Sequence, residues 1–152
     1  MTLTAYVLIG SPRTRKSTLL RCLTGCYSRN LRDIELSSGQ SVRLYARVSA
    51  LQDTRTTPQD FIAEVQRQRC THAAFILSPQ GSPLDPQGLP DAQTYLDAFG
   101  RAGWCIERIA VLGADPIKPS VAARGAVARF PNVLHQPVNA SAALLRQHFG
   151  WR

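Results

Sequence analysis

The stretch that most limits what this chain can fold into is residues 4–25, TAYVLIGSPRTRKSTLLRCLTG. Ala5-Tyr6-Val7-Leu8-Ile9 has the length, continuous apolarity and β-branched content of a strand buried on both faces. Gly10 opens a short polar loop. From Lys16-Ser17-Thr18 onward the apolar positions Leu19, Leu20, Cys22 and Leu23 recur at helical spacing, and Gly25 is a fitting stop. A strand, a glycine-led loop and a helix in that order form a unit typical of α/β domains.

Such a loop has a definite chemistry. Where a chain wraps into a helix start, several backbone N–H groups converge, and the helix dipole adds partial positive charge. A lysine there reaches terminal phosphates, and the hydroxyl beside it suits Mg²⁺. The spacing from Gly10 to Lys16-Ser17 matches the phosphate-binding frame G-x-x-x-x-G-K-[ST] at every point but one: Arg15 stands where the second glycine belongs. Gly10, Arg13, Thr14, Arg15, Lys16, Ser17 and Thr18 are therefore the candidate nucleotide-binding residues. A guanidinium at position 15 would either crowd the phosphate approach or meet phosphate itself.

With 152 residues the chain suffices for a single domain with a full core. The start MTLTAYVLIGSPR lacks the basic opening of a secretion signal, and no apolar run reaches the roughly 20 residues of a membrane span. Cys22, Cys26, Cys70 and Cys105 and the scattered His72, His135 and His148 lack zinc-site spacing; buried, reduced thiols in a cytoplasmic protein are expected. The net charge of +8, from sixteen Arg and two Lys, favours polyanionic partners: nucleotide, nucleic acid or an acidic protein face. The arginines are dispersed, with no basic tail and no aromatic-interleaved block, so no nucleic-acid motif supports that class.

Further along, residues 27–30 read as a loop, and 33–36 and 41–48 as a β-hairpin joined by Ser37-Ser38-Gly39-Gln40. Residues 50–57 form a polar exit. Thr57-Pro58-Gln59-Asp60 starts a helix with Phe61, Ile62 and Val65 inward. Residues 71–78 are a buried strand, and 78–90, rich in Pro and Gly, hold no regular element. Asp91 caps a helix through Tyr95, Leu96 and Phe99; 106–112 is a strand. A helix around 119–129, a strand at 132–135 and a helix capped by Asn139-Ala140-Ser141 complete the chain.

This order resembles the small GTPase-like branch of the P-loop NTPases over nearly the whole chain, with the motif itself confined to residues 10–18. The resemblance implies a three-layer α/β sandwich with a mainly parallel central sheet and one antiparallel hairpin strand. It implies Mg²⁺ with ATP or GTP as cofactor, and a metal site of Ser17 and Asp53, the latter opening a D-x-x-G-like segment, Asp53-Thr54-Arg55-Thr56, with Thr56 in the glycine's place. The guanine-reading N-K-x-D is replaced by Gly113-Ala114-Asp115-Pro116; Gln59, six residues after Asp53, is the candidate for positioning water. Three functions follow: a slow or partner-activated NTP-binding switch, an inactive relative that binds an acidic protein partner, or a basic nucleic-acid module. A small-molecule kinase fits less well, because the hairpin interrupts the expected parallel order.

Overall fold

The structure is a computed structural model that describes residues 2–11, 14–25, 29–81, 89–120 and 126–152, the side chains of 29 and 30 excepted. Strands β1 (Thr4–Gly10), β2 (Arg29–Glu35), β3 (Ser41–Ala50), β4 (His72–Leu77), β5 (Cys105–Leu112) and β6 (Ala126–Phe130) form one sheet in the order β2-β3-β4-β1-β5-β6. Every neighbouring pair is parallel except β2–β3. Helices α1 (Lys16–Thr24), α2 (Pro58–Gln68), α3 (Ala92–Arg101) and α4 (Val138–Phe149) cover it.

Two apolar clusters sandwich the sheet. Leu19, Leu20 and Leu23 of α1 and Ala142, Leu145 and Phe149 of α4 pack with Tyr6, Leu8 and Leu112 on one face. Phe61 and Val65 of α2 and Tyr95, Leu96 and Phe99 of α3 pack with Val7, Ile9 and Phe75 on the other. Helices on both faces explain why β1 and β4 are apolar at nearly every position, since neither has a side facing water. The expected three-layer architecture and the single antiparallel hairpin are both present.

Local chemistry accounts for the helix ends. Thr57 and Asp60 form a reciprocal capping box with Pro58 in the first turn, and Asp91 caps α3 through Thr94 N–H. Gly25 ends α1 in the left-handed region, donating to the Arg21 carbonyl.

Several expectations are corrected. β2 begins at Arg29, so residues 29–30 belong to the hairpin; Cys26, Tyr27 and Ser28 lie outside the described residues. The expected helix around 119–129 and strand at 132–135 are displaced. Residues 113–120 are irregular, 126–130 are β6, 132–135 are turn, and 121–125 lie outside the described residues. Ala126-Val127-Ala128 suits helix and strand alike, and pairing with β5 decides between them. Helix α4 starts at Val138 after Pro137, ahead of the expected Asn139 cap; the Asn139 side chain accepts only from Ala140 N–H. Cys22 is exposed, and Cys70 and Cys105 are half-buried, rather than all being core thiols.

The exit from β3 is also more than polar loop: Leu51, Gln52 and Thr56 are buried in it. Its anchor is Arg47, 3% exposed, whose guanidinium meets both Glu64 carboxylate oxygens at 2.9 and 2.7 Å and donates to the Thr54 and Thr56 hydroxyls. Tyr45 OH donates to Glu64, and Tyr95 OH to the Thr56 carbonyl. Burial pushes the Tyr95 hydroxyl pKa up to about 12, so it remains a donor. Arg47→Met, which strands the Glu64 carboxylate, is expected to cost about 3 kcal/mol in urea unfolding. The double variant Arg47→Met with Glu64→Leu should recover most of that loss, because it leaves no unpaired charge.

Candidate functional site

The loop between β1 and α1 emerges at the carboxyl edge of the parallel strands, where open α/β sheets bind ligands. It is wrapped. Thr14 is buried, its hydroxyl donates to the Ser11 carbonyl at 2.8 Å, and its side chain fills the space between Gly10 and Gly113. A Cβ on Gly10 would lie 2.4 Å from Thr14 Oγ1 and one on Gly113 would lie 3.0 Å from Thr14 Cγ2, so both glycines make room for this fold-back. Ser11 Oγ donates to Asp115 Oδ2 at 2.9 Å, tying the loop to the exit of β5. Pro12 and Arg13 lie outside the described residues, so the expected role of Arg13 has no structural counterpart here.

Arg15 occupies the left-handed region with φ 61° and ψ 24°. That is the conformation the missing glycine would take at no steric cost. Its guanidinium does not fill the loop; it reaches out to the Gln136 carbonyl at 3.3 Å, before α4. Lys16 is the first residue of α1 and turns back over the loop, its Nζ donating to the Ser11 carbonyl at 3.4 Å. Partial burial lowers the Lys16 pKa, and the Asp53 carboxylate partly offsets that.

No side chain caps the start of α1, as at α4, whereas Thr57 caps α2 and Asp91 caps α3. Among the described residues the N–H groups of Lys16, Ser17 and Thr18 meet no acceptor; the first intrahelical bond runs from Leu19 N–H to the Arg15 carbonyl. The first amides of α1, without an acceptor among the described residues, and the partly desolvated Lys16 ammonium thus lie at the same helix start, where the helix dipole adds partial positive charge.

Asp53 is exposed on the turn after β3, its backbone N–H held by the Ala50 carbonyl. Its carboxylate accepts no hydrogen bond among the described residues, and its field reaches Lys16 across β4, which lies between β3 and β1. The resemblance to P-loop NTPases implies Ser17 and Asp53 for one Mg²⁺; both are hard oxygen donors of the type that ion takes, on segments that follow β1 and β3. Among the described residues no three His, Cys, Asp or Glu side chains gather as a metal-binding group. Thr56, in the position of the D-x-x-G glycine, is a buried acceptor for Arg47. Gln59 is exposed on the first turn of α2, while Gln52, which sequence reasoning missed, is buried and bridges Ser78 and Pro90. Asn139, Ala140 and Ser141 lie in the first turn of α4; of these, Ser141 is buried and donates to Gln136.

Compared with known protein families, characterised proteins and solved structures, the chain shows no match. Among the described residues no helix is long and apolar enough to cross a membrane.

Two substitutions test the loop. Arg15→Gly should raise stability by about 0.5–1 kcal/mol, because relief of left-handed strain outweighs the glycine entropy cost and the loss of one exposed hydrogen bond. Gly10→Ala should cost about 1–3 kcal/mol through overpacking, with part recovered by adding Thr14→Ala, which removes the colliding oxygen. Chemical denaturation reads both.

Proposed function

We propose that this domain binds a nucleoside triphosphate at the β1–α1 loop, as a slow or partner-activated NTPase switch. The observation carrying this reading is the uncapped start of α1 beneath Lys16: amides of Lys16, Ser17 and Thr18 that meet no acceptor among the described residues, beside an ammonium that rests on the loop's own Ser11 carbonyl. Phosphate oxygens would displace that carbonyl as the acceptor and satisfy the helix start. Thr14 packed against Gly10 fixes the bend, and Arg15 has its side chain turned aside to Gln136. Mg²⁺, held by the Ser17 hydroxyl and the Asp53 carboxylate, would supply neutralisation of phosphate charge. The Arg47–Glu64 network fixes the ends of the turn carrying Asp53, so its carboxylate is presented by a rigid element.

A second reading, a turnover-incompetent domain that works through protein contacts, draws on Arg15 itself. Its side chain adds strain at the position where the phosphate-loop frame has glycine. Hydrolysis assays on Arg15→Gly separate the two, since recovered or increased turnover favours the enzyme.

Titration with Mg-ATP and Mg-GTP followed by thermal denaturation is the direct test. At a hundredfold excess over Kd the bound form gains about 2.7 kcal/mol, which for a chain of this size raises Tm by roughly 5–10 °C. Lys16→Met should abolish that shift yet raise the Tm of the ligand-free protein slightly, because it removes a partly desolvated charge. No shift with either nucleotide at millimolar concentration would eliminate the proposal.

The pH dependence has a definite sign. Burial lowers the Lys16 pKa in the folded protein, so between that value and the ordinary lysine value the unfolded chain binds more protons and stability of the ligand-free protein rises with pH. A bound polyanion favours the charged form. Affinity should therefore fall as pH rises from about 8 towards 10, an alkaline range below the ordinary lysine pKa. Lys16→Arg, which stays charged, should lack that decline in calorimetric titrations.

A further inference from the structure

We propose that the β6 edge and the cavity at its end bind an extended, acidic–apolar segment of a partner protein as an added strand. This inference does not depend on nucleotide binding. Gly113 N–H donates to the Phe130 carbonyl, so the even residues of β6 turn their backbone groups towards β5. The alternation of a strand then turns the N–H and C=O groups of Val127 and Arg129 outward, and among the described residues these meet no partner. An edge of this kind is a template for strand addition.

Side chains beside the edge fit the same occupant. The exposed large apolar residues among those described are Val127, Leu134 and Leu144, with 39%, 47% and 45% of their surface open, and all belong to β6, the turn after it or the adjoining face of α4. Phe130, Val133 and Leu144, with Asn132 and Gln136, line a cavity of about 270 Å³. That volume accepts one apolar side chain projecting from an added strand.

Charge identifies the chemistry. Beside the edge, Arg129 reaches the Ile117 carbonyl next to exposed Lys118, and Asp115 is the one Asp or Glu of the sequence from 108 to 152. Asp115 is occupied by Ser11 Oγ and Ile117 N–H. Arg129 is held by the carbonyls of Asp115 and Ile117, so no carboxylate neutralises it there. A chain of net charge +8 repels a second copy of itself and attracts an acidic segment.

The test uses the full chain and an acetylated, amidated heptapeptide alternating glutamate with leucine. Amide NMR is expected to show peptide-dependent shifts at Val127 and Arg129, with slowed hydrogen exchange of those two N–H groups. Val127→Pro removes an outward N–H at an edge position that tolerates proline. Leu144→Glu replaces an apolar wall with like charge. Each should weaken binding about tenfold or more, while the unfolding midpoint of the free protein stays near that of the unsubstituted chain. Four outcomes would overturn the inference: no shifts at these amides at millimolar peptide, equal binding of a lysine–leucine peptide, unchanged binding by both variants, or a concentration-dependent dimer that Val127→Pro abolishes.

Discussion

A strand with a parallel neighbour on each side and a helical layer on each face has no outlet for polar side chains. β1 is that strand, and its burial governs much of what surrounds it. Tyr6 and Leu8 point into one apolar cluster, Val7 and Ile9 into the other, so a slip of one residue would exchange the two sets against helices shaped for the opposite arrangement. The chain must leave this strand at a fixed point. It leaves at Gly10, where the bend returns on itself closely enough that Thr14 stands in the space a Cβ would need.

That forced exit sets up the chemistry at the sheet edge. Thr14 is turned inward and bonded to Ser11, the N-cap position falls to Arg15, which makes no side-chain cap, and among the described residues the first amides of α1 meet no acceptor. Arg15 adopts the left-handed backbone there without the ease of glycine. Left-handed backbone recurs at Arg55 and Arg69 and α4 likewise starts without a side-chain cap, but at the β1–α1 turn the two features coincide beside a partly desolvated lysine.

The sequence carried the outline of this architecture. Continuous apolar runs marked β1 and β4, the Ser37–Gln40 turn marked the hairpin, and Thr57-Pro58 and Asp91 marked two helix starts. It misled where local signals were weak. Ala126-Val127-Ala128 has no decisive periodicity, and its strand state comes from pairing with β5. The buried Arg47 was invisible because nothing in a single arginine announces a carboxylate, Glu64, two elements away in the fold. The frame of Gly10, Lys16 and Ser17 was legible from spacing alone. That the Arg15 side chain turns away from the loop, and that Asp53 is sensed by Lys16 across an intervening strand, required three-dimensional placement.

The end of the hairpin is clasped by residues 150–152. Ser37 N–H donates to the Gly150 carbonyl, Arg152 N–H to the Glu35 carbonyl, and Leu36 faces Trp151 in an antiparallel bridge. These contacts join segments separated by most of the chain, so their loop-closure entropy is among the largest in the molecule. If such a long-range clasp is absent from the folding transition state, weakening it hastens unfolding while leaving the rate of folding nearly unchanged. The lifetime of the native hairpin, as distinct from its formation, is then in the keeping of residues 150–152.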